Sequence, residues 1–503
     1  MRQSLEKNSN DAGLLIQMGA LLFSAGKAPE ALLHLMRATI QRPDDPKLLM
    51  NIGFCLNSLG IHREAVRYFQ ATLDLGYEHI KLLEKMIASL SEIDRFDEIT
   101  ALLDKYKETS LASRSMLLLM VARFYLAGDY ELAIETANRA KALMPDNLFT
   151  TAAIETVKAA IISQNNNQKS LKIRIAFHLN EQFHFSIMKP IFDSLKSHYD
   201  VVMTTDPAWV RDFKPDLVFV ANMQAIKMRD MIPGAKFIYT RHGLISKNFV
   251  YEAASSCDFV CVSSEGQQKQ FVEQGQFKKE QVWVTGYAQM DPLFWDKELS
   301  INLPLRPNHK CVLYAPTFTG GLSSIPMMLP NLNAAFFEHM KDVDFVIKTH
   351  PLTRHANADW ISKLKEIAAK FDHVHLVDDI APEIVPLLSR ADVLISDVSS
   401  VMFQYLALNR PIIALNNPDR FTVKEYDPSG IEWLWRDMAL EIENVSELAS
   451  AVKECLSNPS VKQTRREEYR NSLFGTLTDG RTGQRVLEYV QNLQLTPKRG
   501  AND

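Results

Sequence analysis

The sequence predicts an all-α repeat array followed by two doubly wound α/β domains. Three observations lead to this prediction. A period of 34 residues runs through residues 12–147, strand-like segments alternate with helix-like segments from 171 onward, and a charged break at 295–310 divides those segments into two series. Mostly apolar strands that are joined by crossover helices are typical of parallel sheets covered on both faces.

The N-terminal period is carried by small residues. Three glycines and three alanines lie one or two periods apart: Gly26, Gly60 and Gly128, and Ala31, Ala65 and Ala133. Four helix–turn–helix units follow, at 12–45, 46–79, 80–113 and 114–147, the third of them degenerate. The pattern resembles the tetratricopeptide repeat, whose arrays stack into a solenoid with a binding face. We therefore expect a protein partner or self-association through the repeats; an irregular helical bundle is the alternative.

The amino-acid composition limits the classes of function that we expect for the chain. Formal net charge is -4 over 503 residues, which does not suggest a nucleic-acid binder. The cysteines are odd in number and scattered, which favours a reducing cytoplasm over a disulfide framework or a metal site. The polar N-terminus does not resemble a signal peptide, and no run of about 18 apolar residues predicts a membrane span. We expect a cytoplasmic protein, with peripheral attachment to the inner face of the cell membrane left open.

Four regions are predicted along the chain. Residues 1–162 form the repeat domain, 163–170 a polar linker, 171–300 an N-terminal Rossmann-like domain and 301–503 a C-terminal Rossmann-like domain with a crossing C-terminal helix. The strand candidates lie at 171–179, 200–206, 216–222, 236–242, 259–264, 281–286, 310–318, 344–351, 373–379, 392–397 and 411–415. Two such domains facing one cleft form the glycosyltransferase-B architecture. A single large doubly wound sheet is the alternative.

In open α/β sheets ligands bind beyond the carboxyl ends of the strands. In the first series, the segment YTRHGLISKN places His242 and Lys247 after the fourth strand. A histidine there can act as a general base near neutral pH, and a lysine can neutralise a phosphate. A structural histidine followed by a turn glycine is the alternative interpretation.

Three strand ends of the second series carry polar groups. YAPTFTGG offers Thr317, and FVIKTHPLTRH offers Lys348 and His350. SDVSS places Ser399 and Ser400 at the start of a short helix, where they either cap the helix or hold a phosphate. Together these groups predict a diphosphate site with a nearby proton acceptor.

The motifs also carry a family resemblance. Six motifs occur in this order along the chain: HG with Lys247, YAPT, KTHP, SDVSS, NRPII and Asp479–Gly480. Over residues 172–490 this resembles the CDP-glycerol glycerophosphotransferase family of teichoic-acid polymerases and primases. The resemblance implies a CDP-activated alditol donor, a glycan or lipid-linked acceptor and no cofactor or metal.

The resemblance also assigns roles to residues. It implies that His242 is the general base and that His350 is the second catalytic histidine. The donor-binding residues that it implies are Lys247, Thr317, Lys348, Asp397, Ser399 and Ser400. Departures from the usual motifs fall at HGLISK, at Phe318–Thr319 and at Gln404. Two other functions stay open: a nucleotide-sugar glycosyltransferase or epimerase, and a repeat-mediated scaffold with an inactive α/β part.

Overall fold

The computed structural model describes residues 11–93, 95–106, 113–165, 173–241, 243–244, 248–377, 383–424 and 426–495. The chain divides into two compact units. The first comprises Met1–Pro145 with Asp206–Asp212, and the second comprises Asp146–Thr205 with Phe213–Asp503. No helix in the described part of the chain combines the length and the apolar character that a membrane span requires.

The N-terminal part of the first unit consists of helical hairpins. Its helices are α1 (Ala12–Ser24), α2 (Ala28–Ala38), α3 (Pro46–Ser58), α4 (His62–Asp74), α5 (Ile80–Glu92), α6 (Phe96–Lys105), α7 (Arg114–Leu126) and α8 (Tyr130–Leu143). The first helix of each pair begins at the first residue of a predicted 34-residue unit. The assignment of these hairpins to the tetratricopeptide family, and their stacking into a solenoid, stay predictions.

Glycine serves two purposes in these hairpins. Gly26, Gly60 and Gly128 each follow the first helix of a pair and have φ between 75° and 78°, a conformation that side chains with a Cβ rarely adopt. Inside α3, a Cβ on Gly53 would lie 2.5 Å from the Phe69 ring, so glycine allows α3 and α4 to pack closely. The periodic glycines therefore mark the turns, whereas Gly53 marks a close contact between two helices.

The second unit begins with α9 (Leu148–Asn165), which covers the end of the predicted repeat domain 1–162 and the first residues of the predicted linker 163–170. The side chain of Thr156 in α9 accepts a hydrogen bond from Met203 N (2.8 Å) and donates one to Met203 O (3.2 Å). Ala152 and Ala159 join the apolar core of the first sheet. These contacts explain why the first unit ends at Pro145 and the helix belongs with the α/β unit.

Two parallel sheets follow, which rules out the single-sheet alternative. The first has the strand order β2-β1-β3-β4-β5-β6 and the second the order β12-β11-β10-β7-β8-β9. The strands are β1 (Arg174–His178), β2 (Asp200–Thr204), β3 (Leu217–Val220), β4 (Lys236–Tyr239), β5 (Phe259–Val262), β6 (Val282–Val284), β7 (Lys310–Ala315), β8 (Val343–Lys348), β9 (Val374–Val377), β10 (Val393–Ser396), β11 (Ile412–Leu415) and β12 (Leu440–Ile442). All eleven predicted strands are present; the short β12 was not predicted.

Further helices lie between and after the strands along the chain. They are α10 (His184–Leu195), α11 (Pro207–Phe213), α12 (Gln224–Met228), α13 (Asn248–Ser255), α14 (Glu265–Glu273), α15 (Ile325–Met328), α16 (Ala334–Glu338), α17 (Thr353–Ala356), α18 (Ala358–Ala368), α19 (Ile384–Arg390), α20 (Val401–Leu406), α21 (Ile431–Leu434), α22 (Leu448–Ser457), α23 (Gln463–Phe474) and α24 (Thr482–Asn492). The last of them returns to the first sheet, because Val486, Leu487 and Val490 lie in that sheet's core.

The start of α24 is held by Asp291, which follows β6. The carboxylate of Asp291 accepts hydrogen bonds from the Thr482 backbone N–H (2.9 Å) and from the Thr482 hydroxyl (2.6 Å). Burial raises the pKa of Asp291 to about 6. Gly286, in the same segment, has a φ of 97°. This segment leads from the first sheet toward the second.

Candidate functional site

A small pocket lies at the carboxyl ends of three neighbouring strands of the second sheet, β10, β7 and β8. Its volume is about 150 Å³. The lining residues come from segments around both sheets: Leu148, Phe183, Ser186, Gln289, Ala315, Pro316, Lys348, Thr349, His350, Pro351, Glu383, Ile384, Ser399, Ser400, Val401 and Gln404. Four of the eight residues that the sequence predicted for the site therefore line one pocket.

Lys348 and His350 enter the pocket from the end of β8. Lys348 is the last residue of the strand and is buried, and its Nζ donates to the Thr349 carbonyl at 2.7 Å. His350 Nδ1 accepts the backbone N–H of Leu352 at 3.1 Å. In the neutral ring the proton then sits on Nε2, which can donate to an anionic oxygen. The Phe318 ring packs on His350, with 4.6 Å between ring centroids.

Ser399 and Ser400 lie in the loop between β10 and α20. The Ser399 hydroxyl accepts a hydrogen bond from Val401 N at 3.4 Å, and Ser400 makes no capping hydrogen bond through its side chain. Capping therefore engages these hydroxyls only weakly. Because α20 is only six residues long, we assign most of the site's positive character to Lys348 rather than to the helix terminus.

Asp397 is fully buried and faces the protein interior. One oxygen of its carboxylate accepts the N–H groups of Thr317 (2.8 Å) and Val398 (2.7 Å). The other oxygen accepts the N–H (2.8 Å) and the hydroxyl (2.9 Å) of Ser324. Burial raises the pKa of Asp397, and these hydrogen bonds oppose the rise. The structure thus gives Asp397 a positioning role for the loops around the pocket; a direct contact with the donor stays a prediction.

Thr317 does not line the pocket, although its neighbour Pro316 does, and its backbone N–H donates to Asp397. Arg436, which the sequence did not single out, supports the same region from behind. Its guanidinium donates to the backbone carbonyls of Asp397 (2.9 Å) and Leu415 (3.1 Å). No sequence motif marks this arginine, since its partners lie 39 and 21 residues away.

Two hydrogen-bonded glutamines, Gln404 and Gln289, complete the wall. No sequence pattern predicts their pairing. Gln404 Nε2 donates to Gln289 Oε1 at 2.8 Å, and the Tyr287 hydroxyl donates to the same oxygen at 3.1 Å. Gln289 Nε2 lies 3.4 Å from the Ser186 hydroxyl. Gln404 and Gln289 are 115 residues apart, so only the fold brings them together.

The loop after β4 reaches the serine motif. A Cβ on Gly243 would lie 3.7 Å from the Cβ of Ser400. Arg241, two residues earlier, is buried and has a φ of 61°, and its guanidinium hydrogen-bonds to the Gln267 amide. A non-glycine residue held in this region is strained, and such strain is common at functional sites. His242 and Lys247 lie outside the described residues, so their placement stays a prediction.

Comparison with known proteins identifies similar chains. Residues 155–492 match the family model described as CDP-Glycerol:Poly(glycerophosphate) glycerophosphotransferase. A teichoic acid glycerol-phosphate primase of Bacillus subtilis is 31% identical over 163 residues, which cover 32% of this chain and 39% of the relative. A teichoic acid poly(ribitol-phosphate) polymerase of Bacillus spizizenii is 30% identical over 165 residues, which cover 31% of this chain and 25% of the relative.

A third relative and a solved structure extend the match. A teichoic acid ribitol-phosphate primase of Bacillus spizizenii is 24% identical over 260 residues, which cover 47% of this chain and 60% of the relative. The chain thus spans less than two thirds of each of these relatives. A variant of the wall teichoic acid polymerase TagF superposes with a TM-score of 0.50 at 14% identity, over 69% of this chain and 98% of that chain. This last likeness supports the glycosyltransferase-B-like fold alone.

Proposed function

The chain belongs to the CDP-Glycerol:Poly(glycerophosphate) glycerophosphotransferase family, and we propose that it transfers an alditol phosphate from a CDP-activated donor. The acceptor is a hydroxyl of a surface glycan or of a teichoic-acid-like polymer, and CMP is released. The names of the similar proteins include both glycerol phosphate and ribitol phosphate. Glycerol phosphate is our first choice of transferred group.

One observation carries the proposal. The pocket gathers a buried ammonium, an imidazole and two hydroxyls, from Lys348, His350, Ser399 and Ser400, at the carboxyl ends of neighbouring strands. Cationic and hydroxyl donors of this kind match the oxygens of a diphosphate. The pocket volume of about 150 Å³ is small for a whole nucleotide donor, so we expect the walls to separate when the donor binds.

The proposed reaction is a displacement at phosphorus. His242 takes the proton of the acceptor hydroxyl, and the acceptor oxygen attacks the phosphorus that carries the alditol. The bond from that phosphorus to the bridging oxygen breaks, and CMP leaves with that oxygen. General base catalysis of this type contributes roughly 10²–10⁴-fold.

The pocket residues act on the charge of the leaving group. His350 Nε2 and the Lys348 ammonium stabilise negative charge that develops on CMP, and Ser399 and Ser400 orient the diphosphate. Positioning and electrostatic stabilisation supply most of the rate enhancement in phosphoryl transfer. We propose no metal ion and no cofactor for this step.

The surroundings of the reaction follow from the same proposal. The acceptor is glycan or lipid-linked, which brings the enzyme to the inner face of the cell membrane through peripheral attachment. The helical hairpins of the first unit would bind a protein partner or a second copy of the chain. Both statements rest on the family and on the repeat pattern.

A donor screen tests the proposal. The full chain is incubated with CDP-glycerol, CDP-ribitol and UDP-sugars in separate reactions, each with an acceptor extract, and the nucleotides are identified by mass spectrometry. We expect CMP from one of the CDP-alditols. Release of UDP or UMP from a UDP-sugar without any CMP would replace the proposal with a glycosyltransferase or epimerase, and no turnover with any donor would favour a scaffold.

A further inference from the structure

Two polar parts of the pocket lining differ in chemistry. Lys348, His350 and the two serines suit an anion, whereas Gln404 and Gln289 present only neutral amides. Both glutamines are buried. The Tyr287 phenol that bonds to Gln289 is also neutral, because burial raises its pKa. A neutral polar wall beside an anion-binding wall fits a ligand with a phosphate at one end and uncharged polar groups at the other.

The amide of Gln404 is only half satisfied. Its Nε2 donates to Gln289, while its Oε1 is buried and has no hydrogen-bond partner among the described residues. Exchanging the oxygen and the nitrogen of this amide would leave an unpartnered NH₂ in the same place. An unpaired polar group in the interior destabilises the protein until a partner reaches it. The unpartnered end therefore points to a ligand that both donates and accepts hydrogen bonds.

The position of Gln404 relative to Ser400 indicates which ligand atoms reach it. The two residues are four positions apart, at the start of α20 and one turn along it, and both line the pocket. Side chains four positions apart share one face of a helix, about 6 Å apart along its axis. The carbon chain attached to a phosphate at Ser399 and Ser400 would span that distance. Its hydroxyls both donate and accept hydrogen bonds.

We propose that Gln404, supported by Gln289, binds the hydroxyl groups of the donor's alditol and so helps to select the transferred group. This inference rests on the proposed function, because it identifies part of the same pocket. Gln289 acts as the positioning residue: its oxygen holds the Gln404 amide, and Tyr287 and Ser186 hold Gln289. We expect the nucleotide half of the donor to bind without contact to this wall.

The test compares the binding of CMP and of a CDP-alditol in the wild type and in two variants. Isothermal titration of the full chain measures the affinities for CMP and for CDP-glycerol or CDP-ribitol in the wild type, in Gln404→Met and in Gln463→Met. Gln463 lies half-buried on α23, where its amide donates to Glu467, so its replacement is a matched change away from the pocket. We expect Gln404→Met to weaken binding of the CDP-alditol about tenfold while CMP affinity stays within about twofold. Gln463→Met should bind both ligands like the wild type.

Stability provides a second readout. Because Gln404→Met removes a buried unpaired oxygen, its melting temperature should equal or exceed that of the wild type. Equal affinity of Gln404→Met and wild type for the CDP-alditol would overturn the inference, as would a parallel loss of CMP affinity. Failure of the wild type to bind any CDP-alditol would instead overturn the proposed function, and it would be seen before any substitution is made.

Discussion

The backbone of Gly243 faces the side chain of Ser400, so that a Cβ on Gly243 would lie 3.7 Å from the Cβ of Ser400. The first residue follows β4 in one sheet, and the second follows β10 in the other. The two strand-end motifs that the sequence marked as functional therefore meet. Gly243 is the immediate neighbour of His242, which is the proposed base.

His350 should be needed for turnover rather than for folding. Its Nδ1 is engaged by the Leu352 N–H, which directs the proton to Nε2. His350→Ala removes that donor from the leaving group, and we expect kcat/KM to fall about 10²–10³-fold, the range for one transition-state hydrogen-bond donor. Steady-state CMP release measures this change. The exposed His339 provides the matched control, because His339→Ala should leave kcat/KM unchanged; equal rates in both variants would contradict the role of His350.

Asp397 should contribute mainly to stability. Its carboxylate satisfies the N–H groups of Thr317 and Val398 and two donors of Ser324. Asp397→Ala leaves these buried donors unpaired, so we expect the free energy of unfolding to fall by about 3 kcal/mol in urea denaturation. Asp359→Ala removes an exposed carboxylate that pairs with Lys363 and should cost less than about 1 kcal/mol. Similar losses in the two variants would show that Asp397 does not hold the loops together.

The helical hairpins should depend on glycine at the contact between helices. A Cβ on Gly53 would come within 2.5 Å of the Phe69 ring, so Gly53→Ala must displace that buried ring or push α3 and α4 apart. We expect a loss of about 1–3 kcal/mol, seen as faster hydrogen exchange of the amides in 46–74. Gly13→Ala is the control for this prediction. Its new Cβ meets only the Asp11 side chain, at 3.2 Å, and alanine favours a helix more than glycine does. Unchanged exchange in Gly53→Ala would contradict the close packing.

His178 should make the α/β unit sensitive to acid. It ends β1, it is buried, and burial lowers its pKa from 6.5 to about 4. The unfolded chain binds the proton more readily than the folded chain. Stability from the neutral ring is therefore complete above pH 6.5 and is lost as the pH falls toward 4.

The expected size of this acid effect is about 2 kcal/mol at pH 5, from 1.36 kcal/mol per pKa unit. Urea denaturation at pH 7 and at pH 5 measures it in the wild type and in His178→Phe, which cannot titrate. The wild type should lose about 2 kcal/mol more than the variant between these pH values. Parallel losses in the two proteins would mean that His178 is not buried in the neutral form.

Local sequence pattern was sufficient to predict the strands and the hairpins. Apolar runs gave eleven strands near the observed positions, because buried parallel strands are apolar along their length. The 34-residue period marked Gly26, Gly60 and Gly128 because each turn requires a positive φ. The three-residue β12 was missed, because its sequence, Leu-Glu-Ile, is too short to show a pattern.

The direction of side chains could not be predicted in the same way. Lys348, His350, Ser399 and Ser400 line one pocket, and their roles in catalysis and donor binding stay predictions. Asp397 sits within the same serine motif, yet its carboxylate turns toward Thr317 and Ser324, which lie 80 and 73 residues away. The pairing of Gln404 with Gln289 likewise depends on how the segments around the two sheets meet. Such partners are fixed by tertiary packing and leave no local signal.

The most direct test of alditol-phosphate transfer is the mass of the acceptor after reaction with CDP-glycerol. The full chain is incubated with donor and acceptor, and the acceptor mass and the released CMP are measured together. The proposed mechanism predicts one added glycerol phosphate for each CMP released, with both signals lost in His242→Ala and His350→Ala. CMP release without a gain in acceptor mass, or full transfer by both variants, would contradict it.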